Sequence, residues 1–580
     1  MPLSRRSFLR VTGAAAALAG IPALAACGGT ADAAAPPLTV VFAGAGPLPP
    51  PDPHQVWRPV DRARAAAVAD TLMVWSPEMR AVPHLAESVE PDPTGTRWRI
   101  RLRAAVAHDG RPITAADALA SLRRIADPDT GASAAPLLRG VDLTASRAVS
   151  PTELEIVLGA PDFLFPLVLG APGTGIVRDG DGAAPIGTGA FRPHPVGPEV
   201  LLRHDAHWLG AAASPEVRFL VDDDEEHRYQ SLLDRRVDYA HDLFPHSVRR
   251  IMGRTGTRIL SAPGSATRFL EVGSGRADRL GRADLGGGDP GPDGGGAPGE
   301  LFDDPRLREA VRLGIDREAL VRRVLLDLGA PGDDLFGPGL EYHPADVPPV
   351  VRDVGRASEL VAAAGAAGVT VPLLFDPFDP LSRPAAAVIG EQLEEIGLFA
   401  ELREPDPTGA EPTPGIAFRR VPAQPIPLQL RVAADGSSPV PGPTTGGDGG
   451  RGVGSGVDRG IDRATGPGGY LGPDGSVGPE GDIGPDGGVG PDGEPIGPPP
   501  AERPFAPRED VARLLAEATA TPDEAARSDA LRRAHVLLRD AATVWADCDE
   551  HVGISADLDG VEAARPDTAR WARFDRARLG

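Results

Sequence analysis

PHLAES (Pro83–Ser88), then TRWRIRLRAAVAHDGRPITAADALASLRRI from Thr96 to Ile125, is the stretch that decides the fold. Its opening alternates strictly, with Trp98, Ile100 and Leu102 on one face and arginines on the other. That period marks a half-buried strand. His108-Asp109-Gly110 follows the strand and precedes a helix, so it reads as a turn in which Gly110 supplies backbone freedom, rather than as an acid–base pair. Thr114-Ala-Ala-Asp117 is a capping box, and Leu119, Leu122 and Ala126 give the helix behind it an inward stripe.

Outward from this stretch the chain alternates strands with helices. Leu38 to Ala43 reads as a first buried strand. One strand–helix–strand unit runs through Val217 to Val221, Glu225 to Asp234 and Val237 to Ala240. A second runs through Val369 to Phe375, Pro384 to Ile396 and Leu398 to Leu402. Such units build parallel or mixed sheets covered by helices, an α/β architecture. Between them, Asp304 caps one helix and Asp316 restarts a second. Asp510 to Ala520 and Pro522 to Leu538 read as two late helices. Two segments, 275–299 and 436–504, are rich in Gly, Pro and Asp. Glycine recurs every third residue from Gly466 to Gly493, the collagen period. The run is short, its only charges are acidic, and proline is nearly absent from the third position. Both segments therefore read as solvated, disordered inserts.

The first residues read as an export address. Arg5 and Arg6 form a twin-arginine pair, an apolar run follows, and Leu24-Ala-Ala-Cys27 closes it as a lipid-attachment box. The apolar run is too short to span a bilayer comfortably. The expectation is a protein lipidated on Cys27 and held on the extracytoplasmic face of the cell membrane.

Composition excludes several functions. The formal net charge of −23 repels phosphate backbones, so nucleic acid is not an expected partner. The 580 residues include no lysine, which removes a Walker loop, a Schiff base and a serine–lysine hydrolase site. Any ATPase must be a separate subunit. His204 and His207 do not form a recognised metal spacing, and Asp222-Asp-Asp-Glu-Glu226 reads as a helix cap rather than a calcium site. No nucleophile–base set supports an exported enzyme, so no catalytic residue, metal or cofactor is expected. Cys548 reads as a small buried hydrophobe.

The phrase around Pro83–Ile125 resembles the solute-binding proteins of ABC importers, in the family of oligopeptide-, dipeptide- and nickel-binding members. Three further stretches carry the resemblance in the same order: Pro185-Ile-Gly-Thr-Gly-Ala-Phe191 with Arg203-His-Asp-Ala-His-Trp208 and Arg236-Val-Asp238; FDDPRLREAVRLGIDREALV from Phe302 to Val321; and Gln392 to Leu402 with the late helices. The resemblance implies a two-lobed periplasmic-binding-protein-like fold of type II, with an extra subdomain on the first lobe. After the signal at 1–27 and a tether at 28–37, both read from the residues themselves, it places lobe I at 38–267 with its subdomain at about 61–180, lobe II at 268–543, and a return to lobe I at 544–580. The chain crossings fall near Arg268 to Val272 and Val544 to Asp549.

The resemblance also implies a monomeric receptor that captures a small ligand, a peptide by expectation, between its lobes and passes it to an ABC permease. The alternative is an exported non-transport protein, either an enzyme or a scaffold built on the Gly-X-Y run. Peptide-binding relatives hold the ligand's α-ammonium with an aspartate in an "A-D" phrase. Val432-Ala-Ala-Asp435 matches it, although Asp435 reads equally as a turn residue before Gly436. Glu271-Val-Gly-Ser-Gly275 replaces the relatives' aromatic–Asn–Thr phrase, and the added charge of Glu271 favours a cationic ligand. Arg268 is the third expected contact.

Overall fold

A computed structural model describes residues 37–178, 186–273, 301–302, 304–376, 379–404, 415–435, 509–539 and 542–580. Arg5, Arg6, Cys27, the tether to residue 36 and all of both Gly-rich segments lie outside the described residues.

Leu38–Phe42 (β1) is LTVVF, an apolar and β-branched run with Val40 and Phe42 fully buried. It lies between Glu216–Val221 (β2) and Tyr239–Ala240 (β3) and runs parallel to both. Parallel strands need a crossover, and the helix Glu225–Leu233 (α1) supplies it between β2 and β3. The acid run starts this helix: Asp224 is its N-cap and accepts from Glu226 N at 2.8 Å.

Thr257–Gly273 (β4) then carries the chain out of this half of the sheet. In the other half, Thr370–Leu374 (β5) and Phe399–Arg403 (β6) are parallel neighbours joined through the helix Ser382–Glu395. Gly415–Pro422 (β7) is parallel to β5 and antiparallel to β4. Three helices follow, Ile426–Asp435 (α2), Glu509–Ala520 (α3) and Glu524–Leu538 (α4). Ala542–Ser555 (β8) brings the chain back, antiparallel to both β4 and β3. The central order is β6-β5-β7-β4-β8-β3-β1-β2.

The β4–β8 register breaks where the halves meet. Ala262 faces Glu550, but Ala266 faces Cys548, so four steps on one strand match two on the other. Extra residues bend and twist a strand pair. Two α/β lobes therefore lie on either side of Pro263-Gly-Ser265, sharing only these two strands through the sheet.

The stretch from Pro83 to Ile125 supplies a helix and two strands of a separate four-stranded antiparallel sheet, which Val141–Ser150 and Glu153–Leu158 complete. Trp98, Ile100 and Leu102 are buried while Arg97, Arg99 and Arg101 are exposed. Thr114 and Asp117 cap the helix Ala115–Ala126 reciprocally, and Ile125, rather than Ala126, completes its buried stripe. Gly187 and Gly189 explain the family phrase around them: a Cβ at either would collide with the backbone of Val68 and Ala67. His108 Nε2 and His204 Nδ1 each donate to the Gly189 carbonyl at 3.1 Å, so both histidines hold this close approach in place.

Apolar burial also bridges the lobes. One cluster contains Trp98, Leu122 and Leu164 of the subdomain together with Leu430, Leu514 and Leu531 of α2, α3 and α4. Beside it, Phe163 N donates to the Thr519 carbonyl at 2.8 Å, and Arg431 pairs with Asp162. Among the described residues no helix is long and apolar enough to cross a membrane.

Candidate functional site

The carboxyl ends of the parallel strands of both lobes meet at the β4–β8 break. Open α/β sheets place their ligands at such ends, because the loops there are free to vary while the strands hold them. Lobe I contributes His241 and Asp242, directly after β3. Lobe II contributes Arg419 and Arg420 on β7 and Asp379 after β5. The hinge strands contribute Arg268 and Glu271 from β4 and Cys548 and Glu550 from β8.

Arg268 and Arg420 are register partners on adjacent strands. Two like charges directly opposite are destabilising, so each must have its own carboxylate. Asp379 serves Arg268: Nη2 donates to Oδ1 at 3.0 Å and Nη1 to Oδ2. Burial opposes the charge on both partners, yet the pairing wins. Arg268 is raised above its ordinary range and Asp379 is held below its own. Asp242 serves Arg420, with Nη2 and Oδ1 3.4 Å apart. Burial pushes the Asp242 carboxyl up, but Arg420, His241, Arg228 and Arg268 together bring it down to about 2.

The two pairs differ in access. Side-chain exposure is 5% for Arg268 and 15% for Asp379, so that pair is sealed. Arg420 and Asp242 keep 37% and 20%, so a ligand can reach them. Asp242 also sits in the left-handed region at φ 51°, which aspartate tolerates better than most residues. Strained backbone of this kind gathers at functional sites.

Around the pairs are buried nitrogens that make no hydrogen bond among the described atoms: Arg268 Nε, both ring nitrogens of His241, His551 Nε2 and Trp545 Nε1. His241 stacks on Phe42 with ring centroids 4.6 Å apart, and its Nε2 lies 3.4 Å from Glu550 Oε2. Burial pushes the Cys548 thiol up despite Arg268 and Arg420 nearby, which makes it a weak nucleophile.

The structure brings Arg268 and Glu271 to this seam but gives both internal partners. Glu271 Oε2 accepts from Arg419 Nε at 3.0 Å. That balances the negative charge from which a preference for cations was expected. Asp435 is the last residue of α2, which packs with α3 and α4, and its side chain lies outside the described residues. The backbone of Val432–Asp435 is helical there, not a turn. Asp242, Arg420 and Asp379 are the residues that sequence reasoning missed. The adjacent arginines of IAFRRVP, in an otherwise apolar strand, were the available signal for Arg420.

A cavity of about 80 Å³ lies within lobe I, walled in part by Asp70, His84, Asp567 and Trp571. It has room for a few waters. Its carboxylates are engaged by protein: Asp70 accepts from His84 and Trp208, and Asp567 from Arg62.

Residues 80–424 match the model of the bacterial extracellular solute-binding proteins, family 5 Middle. The glutathione-binding protein GsiB of Salmonella paratyphi A is 21% identical over 413 residues, 69% of this chain and 73% of that protein. Among solved structures, AgaA of A. tumefaciens R10 with agropinic acid superposes with a TM-score of 0.63 at 19% identity, covering 93% of this chain and 99% of that one. DppA of Helicobacter pylori with the peptide STSA gives 0.65 at 15% identity, covering 94% and 98%. These likenesses establish the two-lobed, type II periplasmic-binding-protein fold. With a family model spanning more than half its length, the chain belongs to the bacterial extracellular solute-binding proteins, family 5.

Proposed function

We propose that this protein is a lipid-anchored receptor of an ABC importer that captures a small zwitterionic solute, a short peptide by preference, between its lobes. The accessible Asp242–Arg420 pair carries this reading. A zwitterion entering between them sets its ammonium on Asp242 and its carboxylate on Arg420, so every charge keeps a partner. A ligand of a single sign leaves one of the two without a counter-charge, and desolvated charge is costly when unpaired. Charge-assisted hydrogen bonds at both ends favour closure. Binding then biases an open–closed equilibrium, and a permease with a separate ATPase reads the closed form.

Arg268 acts from behind, by holding Asp379 away from Arg420. This reading takes 38–267 and 544–580 as lobe I and 268–543 as lobe II. No chemical step is involved: the receptor is not an enzyme, needs no cofactor and works as a monomer. Cys27 supplies the anchor, and Cys27→Ser should release the protein from the membrane fraction.

Thermal shift with a panel of free dipeptides tests the ligand class, since binding to the folded state alone raises the melting temperature. Free dipeptides should stabilise the protein, and N-acetylated or C-amidated forms should bind at least about tenfold more weakly, as loss of one charged contact implies. Equal affinity for blocked and free forms overturns the zwitterion reading.

A further inference from the structure

Arg228 is a buried cation that the binding reading does not use. It lies on α1, is 1% exposed, and directs its guanidinium at backbone rather than at ligand. Nε donates to the His241 carbonyl at 3.1 Å and Nη2 to the Asp242 carbonyl at 3.0 Å. Nη1 donates to the carbonyls of Asp222 at 2.8 Å and Asp223 at 3.2 Å. One side chain therefore ties the loop after β2 to the loop after β3. Arginine suits this work because its donors are fixed in a planar fork. A residue at φ 51° keeps that conformation only where its surroundings over-determine it. Arg228 does so on the carbonyl side of Asp242, and Arg420 on the carboxylate side.

We infer that Arg228 is a positioning residue for lobe closure: it fixes the backbone of Asp242 so that its carboxylate meets Arg420 across the hinge. The inference rests on the receptor reading above. It makes Arg228 a determinant of the open–closed balance although it touches neither ligand nor the other lobe.

The test is a distance measurement by pulsed electron paramagnetic resonance on the full chain carrying Cys27→Ser, with spin labels at Val196→Cys and Val351→Cys. Both positions are exposed, at 85% and 78%, and Cys548 is buried. Asp242→Asn, which keeps tolerance of the left-handed conformation, should raise the open-to-closed ratio about threefold, the size of a partly exposed ion pair. Arg228→Met should raise it by a similar factor and add nothing in the Asp242→Asn background. Arg228→Lys, which keeps the charge but loses the fork, should fall between.

An unchanged distribution in Arg228→Met, or an effect fully additive with Asp242→Asn, overturns the inference. If Arg228→Met does not fold, Arg228→Lys carries the same two outcomes. No shift in Asp242→Asn also overturns it. The receptor reading survives either result if free dipeptides still raise the melting temperature, and falls separately if they do not.

Discussion

Asp242 and Arg420 face each other across the hinge at 3.4 Å, one from each lobe, beside a second arginine whose charge Asp379 already occupies. The accessible pair is thus separated from the sealed one by a single strand spacing, and each has its own consequence.

Arg420→Gln removes the lobe II half of the contact. Because the pair is partly exposed, its loss should cost no more than about 1 kcal/mol of stability. Binding of a free dipeptide should weaken by at least about tenfold, because the ligand carboxylate loses a charged donor. In the ligand-free protein, closure should weaken with added salt, and Arg420→Gln should flatten that dependence. Calorimetry and interlobe distances at low and high salt check both outcomes.

Arg268→Met leaves Asp379 buried without its counter-charge. Breaking a buried pair from one side costs about 3–5 kcal/mol. Arg268→Met with Asp379→Leu should recover most of that loss, since neither charge is then stranded. Urea unfolding of the two single variants and the double variant gives the coupling directly, and simple additivity would contradict the pairing.

Glu271→Gln removes the partner of Arg419 in a setting open to solvent, so stability should fall by less than about 1 kcal/mol. Since Asp242 takes the ligand ammonium in our reading, Glu271→Gln and Asp435→Asn should each leave dipeptide affinity within about twofold. A tenfold loss in either would return that residue to the ligand contacts.

Asp547 on β8 predicts a pH dependence. It is 4% exposed and accepts from Thr267 Oγ1 at 3.1 Å. Burial, then the neighbouring Asp333, pushes its carboxyl up to about 7, against the Thr267 hydrogen bond, His343 and Arg565. Its folded value is above its unfolded one, so its contribution is fully present below about pH 4 and is lost as pH rises through about 7. Asp547→Asn keeps an acceptor for Thr267 and cannot ionise. It should exceed the wild type in stability by about 2–4 kcal/mol above pH 7, with the difference vanishing near pH 4. Denaturant midpoints across that range decide the matter.

Much of the scaffold was legible because local physics is written in neighbouring residues. Alternation in Thr96–Arg103 marked a strand, Thr114 and Asp117 marked a cap, and the acid run Asp222–Glu226, Asp304 and Asp316 marked helix starts; the structure contains each of them. The order of these signals was enough for the family. The site was less legible. Arg268 and Glu271 were found at the seam, but their partners Asp379 and Arg419 stand more than a hundred residues away. Asp435 matched a phrase whose letters agree, while the backbone beneath them is helical.

Sequence alone determined the α/β elements, because periodicity, capping and turn chemistry act over a few residues, and the family resemblance those elements carry implied two lobes. Only the tertiary structure decided which charges meet. The loop after β3 reaches across β8 and β4 to β7, and from that placement Asp242 meets Arg420 and Arg228 holds Asp242. Electrostatic pairing depends on distance in space, and separations of 178 and 14 residues are equivalent once the chain has folded.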